Sequence, residues 1–300
     1  MQVSDTDFQE LADEIAREIV STYNITVQDA VPLILKSIEG DFELRKSLAK
    51  ATDSKTLKRT SGYKNAVSRA RKAIYYHLRQ YKGTSAFSGA VGALGGMPAE
   101  AMTNSPELVE DVVHAVTHAH VSTAERSNDR AAILEKIHRA DPAARSIVDV
   151  GCGVFPLLLP QSMYRSLDRY LALDRDELAV EAVAAYARLL SDRWLVSRRW
   201  SLEDGWDVLR NDAPDNGFDI GLLLKIVPVV RRQSRHLLDI LAKTPAKTLI
   251  VTGACMSMTK QVSIERRERA SIESFAEQYG FQVADKFDLS NEFGYVLRQP

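Results

Sequence analysis

A glycine-containing turn at residues 148–156, VDVGCGVFP, is the segment of this sequence that most directly suggests chemistry. Asp149 and Val150 end a short apolar run, and Gly151 and Gly153 follow with one residue between them. Glycine lets the backbone turn tightly and lets a ligand approach closely, because no Cβ stands in the way. The pattern therefore predicts a loop that binds a nucleotide-like cofactor after the first strand of a sheet.

The cofactor predicted for this loop lacks a pyrophosphate. Phe155 and Pro156 stand where a dinucleotide fingerprint has its third glycine, which disfavours a pyrophosphate at the helix N-terminus. S-adenosylmethionine fits better. Asp174, roughly twenty residues beyond Gly153, stands where such sheets place an acid that binds ribose hydroxyls. The alternative is that the glycines only make a turn and that Asp174 only caps the next helix.

The elements that must position this loop form an alternating pattern from residue 146 onwards. Short apolar runs, SIVDV, YLALD, WLVS, FDIGLLL and KTLIVT, alternate with helical stretches such as ELAVEAVAAYARLL. This order is typical of a parallel sheet flanked by helices. The segments FQVADKFDL and FGYVLRQ are separated only by a short turn at Ser290 and Asn291, which predicts a hairpin with an antiparallel last strand.

Residues 1–104 are interpreted as an all-helical domain and residues 105–300 as the domain that contains the sheet. Apolar residues recur at helical spacing near the N-terminus, at Phe8, Leu11, Ile15 and Ile19. The segment 85–100, SAFSGAVGALGGMPAE, is rich in Gly, Ala and Ser and predicts a loop or hinge just before the domain boundary.

A basic helix is predicted within residues 64–82. No Asp or Glu occurs between residues 54 and 98, although the chain has a net charge of −1. On a helical wheel one face carries the basic residues Lys64, Arg71, Lys72, Arg79 and Lys82. Such a face suits RNA phosphates, and the alternative is an ordinary solvated face. Two arginine groups in the second domain are further candidates for the RNA surface: Arg231, Arg232 and Arg235, and Arg266, Arg267 and Arg269.

Three segments carry a family resemblance. HVSTAERS, residues 120–127, resembles the His-x-Ser-Thr-x-Glu-Arg motif of the aminoglycoside-resistance 16S ribosomal RNA (guanine-N7) methyltransferases. GLLLKIVP, residues 221–228, resembles their Leu-Leu-Leu-Lys-x-x-Pro segment, and residues 64–81 are similar to their basic helix. The blocks follow the family's order, which makes them more specific together than singly.

The resemblance implies a Rossmann-like class I methyltransferase fold, with a seven-stranded, mostly parallel sheet and an N-terminal all-helical domain. Residues 1–104 would then bind RNA, and residues 105–300 would form the S-adenosylmethionine-dependent methyltransferase domain. It implies S-adenosyl-L-methionine as cofactor. The substrate would be 16S ribosomal RNA in the assembled small subunit, and the methylated atom would be N7 of a guanine in the decoding A-site. Arg126 would hold the methionine carboxylate, since a guanidinium binds a carboxylate in bidentate fashion. His120 would orient the Arg126 loop, and Lys225 would lie near the target base as the catalytic candidate.

The remaining cofactor-binding residues are implied in the same way. Gly151 and Gly153 would line the methionine part and Asp174 the ribose, with Asp149 and Leu224 at the ends of the first and fourth strands. An acid after the third strand would contact adenine. Asp207 fits that position by spacing, and Asp204 is the alternative.

One segment departs from the family. Where the relatives carry a Phe-Pro-Thr-Arg-Ser-Leu type sequence, this chain has GACMSM at residues 253–258, with Gly253 for the phenylalanine and Met256 for the arginine. The identity of the nucleotide and a resistance role are therefore less firmly implied than the cofactor and RNA. Two alternatives stay open: a small-molecule methyltransferase with a helical lid, and a non-catalytic ribosomal RNA-binding assembly protein.

Other features limit the cellular setting and the metal chemistry. The sequence lacks a basic-apolar secretory start and a bilayer-length apolar stretch, so we expect a cytoplasmic protein without membrane contact. Cys152 and Cys255 have no pairing or metal spacing and are interpreted as reduced thiols. His114, His118 and His120 lack a suitably spaced acidic or cysteine partner, so no metal is expected. We expect a monomer.

Overall fold

A computed structural model of the chain describes residues 5–23, 25–51, 53–81, 84–160, 163, 166–190, 194–257 and 262–299. The chain forms two compact units. The first is Met1–Lys82 with Ser257–Val262, and the second is Gly83–Met256 with Ser263–Pro300. This division precedes the boundary expected at 104/105, and the functional roles of domains 1–104 and 105–300 stay predictions.

The first unit is built from helices. Their bounds are α1 Asp5–Ile19, α2 Val27–Ile38, α3 Phe42–Lys50, α4 Ser54–Arg59 and α5 Ser61–Tyr81. The N-cap residues of α2, α3 and α4 are Thr26, Asp41 and Asp53, which immediately precede these helices. Each of their side chains accepts a hydrogen bond from a backbone N–H of the first turn. Ala66, Val67, Ala70 and Ile74 of α5 are buried in the core of this unit, so this helix packs through one apolar face.

The second unit begins with helices and continues as a sheet with flanking helices. The helices are α6 Thr84–Gly95, α7 Ala101–Asn104, α8 Pro106–Ala119, α9 Val121–Ala124, α10 Arg130–Ala140, α11 Glu177–Leu189, α12 Ile226–Gln233, α13 Arg235–Ala242 and α14 Glu265–Gln278. The strands are β1 Ser146–Val150, β2 Arg169–Asp174, β3 Leu195–Arg199, β4 Phe218–Leu224, β5 Ala246–Ala254, β6 Gln282–Asp288 and β7 Glu292–Arg298.

The seven strands form one sheet in the order β3-β2-β1-β4-β5-β7-β6. Strands β1 to β5 pair in parallel, whereas β7 is antiparallel to both β5 and β6. The predicted hairpin with an antiparallel last strand is thus confirmed. Parallel strands bring their carboxyl ends to one edge of the sheet, and the crevice outside that edge is where open α/β sheets bind ligands.

The expected loop at residues 85–100 was a wrong prediction, because most of it forms α6. Phe87, Val91 and Leu94 recur at helical spacing and are buried against the second unit's core. Gly89, Gly92 and Gly95 lie where an added Cβ would meet no atom within 4 Å. Burial of one apolar stripe therefore outweighs the helix-weakening cost of the glycines.

Candidate cofactor and target site

The turn after β1 has the backbone conformation that its glycines suggested. Gly151 and Gly153 have φ values of +68° and +53°, a region that favours glycine. A Cβ on Gly153 would lie 2.4 Å from Cε1 of His120, and one on Gly151 would lie 3.0 Å from Cδ1 of Ile226. The backbone conformation favours glycine at both positions, and the close approach of the His120 ring also requires it at Gly153.

Asp174 fixes this turn from the end of β2. Its Oδ2 accepts a hydrogen bond from the Gly153 N–H at 2.7 Å, and its Oδ1 accepts one from the Asp176 N–H at 2.9 Å. The Gly151 N–H donates to the Leu173 carbonyl at 2.8 Å. The predicted ribose acid is thus half-buried beside the glycine turn, and it also positions that turn.

Asp149, at the end of β1, is a fully buried acid with a spare acceptor. Its Oδ2 accepts a hydrogen bond from the Tyr170 hydroxyl at 2.8 Å, while its Oδ1 has no partner among the described residues. Burial raises the pKa of Asp149 to about 7, although the Tyr170 hydrogen bond and the Arg126 cation oppose the shift. An unsatisfied buried acceptor is costly and favours a ligand that donates to it.

Arg126 is the matching buried donor. Only 3% of the residue is exposed, and its Nε donates to Oε1 of Glu292 at 2.8 Å. Its Nη2 is buried and finds no acceptor in the part of the chain that the structure describes. A free N–H on a buried guanidinium suits a carboxylate ligand. Arg126 and Asp149 together therefore suit a ligand that carries both a carboxylate and an ammonium group.

Lys225 follows β4 in a strained conformation. Its φ of 63° is the only positive φ of a non-glycine residue in the described chain. Its Nζ lies 2.7 Å from Oε2 of Glu125 and 3.0 Å from Oε1 of Glu292, and its side chain is 15% exposed. Left-handed residues of this kind persist where the surrounding structure holds them, often at functional sites. The preceding Leu224 is buried at the strand end.

Glu292 joins the two cations and was not predicted from the sequence. It is the first residue of β7, is 1% exposed, and also accepts a hydrogen bond from the Thr252 hydroxyl at 2.7 Å. Burial raises its pKa, but the charges of Arg126 and Lys225 and the Thr252 hydrogen bond outweigh burial and lower it. The available signal was an acid at the start of an apolar strand, where charged residues are rarely buried unless paired.

His120 packs on the turn that contains Gly153, and its predicted role in orienting the Arg126 loop stays a prediction. One of its ring nitrogens, Nδ1, lies 2.8 Å from Oγ1 of Thr123, and its ring lies 5.4 Å from that of Phe87. Burial lowers the pKa of His120, with Asp174 and Asp176 opposing. The neutral ring thus links α9 to the Gly153 turn.

The two acids considered for adenine lie apart from these contacts. The Asp207 side chain is 85% exposed and pairs with Arg210 at 2.7 Å. Asp204 closes a capping box with Ser201. Neither shares a hydrogen bond or ion pair with the cofactor turn in the described chain, so the choice between them stays a prediction.

The segment that departs from the family resemblance follows β5. A Cβ on Gly253 would lie 2.4 Å from Cζ of Phe293, so the ring of Phe293 occupies the space that a side chain at position 253 would need. Met256 pairs with Ser263 in an isolated bridge and is 45% exposed. The loop therefore presents an apolar side chain to solvent near the end of β5.

The residues predicted for the basic helix belong to the first unit, whereas the two further arginine groups belong to the second. Lys64, Arg71 and Lys72 are exposed on α5, opposite its buried face. Arg79 lies on α5, but its side chain and the whole of Lys82 fall outside the described residues. Acids from other helices pair with basic residues beside this face, as Lys58 does with Glu14 at 3.0 Å. The RNA role of α5 stays a prediction.

The described ranges hold neither a metal cluster nor a membrane-spanning helix. No group of three or more His, Cys, Asp or Glu side chains there is arranged to hold a metal ion. His114 and His118 stack on each other, with ring centroids 3.8 Å apart. In the same ranges no helix combines the length and apolar character required to cross a bilayer.

Comparisons with known proteins agree on one family. The family described as "Ribosomal RNA methyltransferase (FmrO)" matches residues 46–296. The 16S rRNA (guanine(1405)-N(7))-methyltransferases of Micromonospora echinospora and Micromonospora rosea are 26% and 25% identical over 203 and 190 residues. These matches cover 64% and 60% of this chain, and only about two thirds of the relatives' length, 68% and 63%.

Among solved structures, the 16S rRNA methyltransferase RmtF in complex with S-adenosyl-L-homocysteine superposes with a TM-score of 0.58. It is 20% identical, and the match covers 97% of this chain and 99% of that one. At this identity the likeness shows the fold alone, which is the Rossmann-like fold of class I methyltransferases with a helical N-terminal region, as expected.

Proposed function

Because this chain belongs to the ribosomal RNA methyltransferase (FmrO) family, we propose that it transfers a methyl group from S-adenosyl-L-methionine to N7 of a guanine in the decoding A-site of 16S ribosomal RNA. The curated relatives act on guanine N7 of 16S rRNA by name. The observation that supports the cofactor most directly is the pair of buried, unsatisfied atoms, Nη2 of Arg126 and Oδ1 of Asp149.

The residues of the site fit the parts of this cofactor. Arg126 would bind the methionine carboxylate and Asp149 the ammonium group, while the two glycines leave room for the chain between them. Asp174 keeps acceptor capacity for the ribose hydroxyls after binding the turn. When bound, S-adenosylmethionine supplies a methyl group activated by its sulfonium charge.

The chain's own residues would position the reacting groups. Guanine N7 has a free lone pair at neutral pH, so the target needs no general base. Catalysis then depends on orientation and on preorganised charge. Lys225, whose side chain pairs with Glu125 and Glu292, would orient the target base, and these ion pairs support the role because they hold the side chain in position before the base binds.

The substrate form and the cellular role belong to the same proposal. We expect the assembled small subunit to be the substrate, and the protein to act as a monomer in the cytoplasm. Protection of ribosomes from aminoglycosides is the expected outcome. Expression in a sensitive bacterium should raise the inhibitory concentration of these drugs, whereas the Lys225→Gln variant should not.

The direct test combines labelling with mapping. The protein is incubated with tritiated S-adenosylmethionine in three separate reactions. These contain small subunits, large subunits or free 16S RNA. N7-methylguanine is then located by borohydride reduction, aniline cleavage and primer extension. Label at one decoding-site guanine of the small subunit is expected. Label on another ring atom or on no RNA contradicts the proposal.

A matched pair of variants separates binding from catalysis. Arg126→Gln removes the buried guanidinium and should abolish cofactor binding in calorimetry, whereas Arg130→Gln removes an exposed one four residues later and should not. Melting curves of both variants control for folding. Cofactor binding by wild type without any methyl transfer to ribosomal particles would favour the non-catalytic alternative.

A further inference from the structure

Three arginines converge where α12 packs on α14, and we call them the arginine seam: Arg231, Arg232 and Arg267. Arg232 Nη1 lies 2.6 Å from Oε1 of Glu268, and Arg267 Nη2 lies 3.1 Å from the same oxygen. Arg231 Nη1 donates to the Ser271 carbonyl at 3.2 Å. Side chains from both helices are therefore held by contacts within the seam.

Glu268 is the buried acid that pairs with two arginines of the seam. The residue is 3% exposed, whereas the side chains of Arg232 and Arg267 are 46% and 60% exposed. Each guanidinium donates to Glu268 through one nitrogen, and within the described residues its other N–H groups have no hydrogen-bond partner. A planar guanidinium held in this way presents its remaining donors at little entropic cost, as phosphate recognition requires.

Stability explains only part of this arrangement. The buried carboxylate of Glu268 needs a cationic partner, but it has two. The second, Arg267, lies in the first turn of α14, where the helix dipole disfavours a cation. With three cations and one anion, the seam keeps an excess of positive charge on the surface of the second unit.

The seam also lies close to Lys225, the residue proposed to orient the target base. Lys225 directly precedes α12, and Arg231 and Arg232 lie in the last turn of that helix. At 1.5 Å per residue the separation along the helix axis is about 10 Å. A stacked strand advances about 3.4 Å per nucleotide, so about three nucleotides span that distance.

Building on the proposed function, we propose that the arginine seam binds the phosphate backbone of the ribosomal RNA strand that flanks the target nucleotide. The seam belongs to the second unit, whereas α5 belongs to the first. The seam supplies affinity and register but reads no base, because phosphate contacts position and base contacts specify.

The first test removes the seam's charge. The triple variant Arg231→Gln, Arg232→Gln, Arg267→Gln is compared with a control that removes three exposed, ion-paired arginines elsewhere in the unit, Arg139, Arg145 and Arg198. With small subunits and saturating S-adenosylmethionine, the seam variant should raise KM at least about tenfold and leave kcat unchanged. The slope of log affinity against log salt concentration should become shallower by about one for each phosphate that the variant no longer binds.

The second test separates a preorganised clamp from general positive charge. Glu268→Gln makes the seam more positive but releases both guanidinium groups. If they form a clamp, KM should rise about threefold or more, because their ordering is lost. A general electrostatic surface would instead lower KM. Glu265→Gln, which removes another first-turn acid of α14 but contacts Arg269, controls for helix stability.

The outcomes separate this inference from the proposed function. If wild-type protein methylates small subunits but the seam triple variant matches the control triple variant, the seam proposal is wrong and the proposed function stands. A lowered KM in Glu268→Gln also overturns the clamp. If wild-type protein binds the cofactor but modifies no ribosomal particle, the proposed function itself fails.

Discussion

The cofactor half and the target half of the site are assembled in different ways. Asp149, Gly151, Gly153 and Asp174 all lie within residues 149–174, on two neighbouring parallel strands and the turn between them. In the target half, Lys225 contacts Glu292, which also binds the cofactor-site residue Arg126, 166 positions away in the chain. Local spacing therefore determines the first half, whereas the second depends on long-range pairing of charges.

The largest expected effect is in the target half. Glu292→Ala leaves Arg126 and Lys225 close together without their shared carboxylate, and breaking a buried ion pair costs about 3–5 kcal/mol. The free energy of unfolding should fall by that amount. Urea unfolding followed by tryptophan fluorescence measures it, because the tryptophans, Trp194, Trp200 and Trp206, lie in the second unit.

Glu135→Ala is the matched control for Glu292→Ala. Glu135 pairs with Arg139 at 2.5 Å, and both side chains are exposed, at 54% and 67%. A surface pair of this kind contributes about 0–1 kcal/mol. If the two variants lose equal stability, the buried network is no more than a collection of ordinary ion pairs.

The second largest expected effect is a loss of cofactor affinity when the glycine turn of the cofactor half is changed. Gly153→Ala places a residue with a Cβ at φ +53°, which costs about 1–3 kcal/mol, and pushes the ring of His120 out of place. Affinity for S-adenosylmethionine should fall by at least about tenfold in calorimetry. Gly92→Ala, in open space on α6, should keep that affinity and stabilise the chain by about 0.5–1 kcal/mol. Equal affinities would contradict a fitted turn.

The same contrast explains how much could be predicted from the sequence. The strands and the glycine turn were predictable because alternation and glycine spacing act over a few residues. The segment at residues 85–100 was misjudged because its glycines face open space, and only tertiary packing shows that its apolar stripe is buried.

The ion network lay beyond sequence reasoning for a different reason. Glu292 is an acid with no distinctive spacing to Lys225, and its role depends on how β7 inserts between β5 and β6. The hairpin was predicted, but its register on β5 was not. Because of this register, Glu292 lies opposite Ala254, the last residue of β5, where its carboxylate contacts both Arg126 and Lys225.

A pH dependence tests the charge state of the cofactor half. Asp149 has a pKa of about 7 in the folded chain against an ordinary value of 3.8, so its protonated form is favoured by folding. This contribution to stability is complete below pH 3.8 and is lost as the pH rises through 7. The free energy of unfolding should decline by up to about 1.4 kcal/mol per pH unit between these values.

Asp149→Asn supplies the comparison for the pH experiment. The amide does not titrate, so the difference in unfolding free energy between wild type and variant should change with pH in the stated direction. A ligand ammonium at Oδ1 would favour the ionised form, so saturation with S-adenosylmethionine should weaken the dependence. A difference that does not vary between pH 5 and 8 contradicts an elevated pKa.

The smallest expected effect tests whether the cofactor half depends on a contact from outside residues 149–174, namely the contact between Thr123 and His120. Thr123→Val keeps the shape of a fully buried side chain but removes the hydroxyl that bonds Nδ1 of His120, at a cost of about 1 kcal/mol. Because the His120 ring packs on Gly153, cofactor affinity should fall by a few-fold as well. Ser127→Ala, whose hydroxyl is 3.5 Å from its nearest acceptor, should change neither quantity. If Thr123→Val lowers stability but leaves cofactor affinity unchanged, the glycine turn holds its shape without support from α9, and the division between the halves is sharper than the contacts indicate.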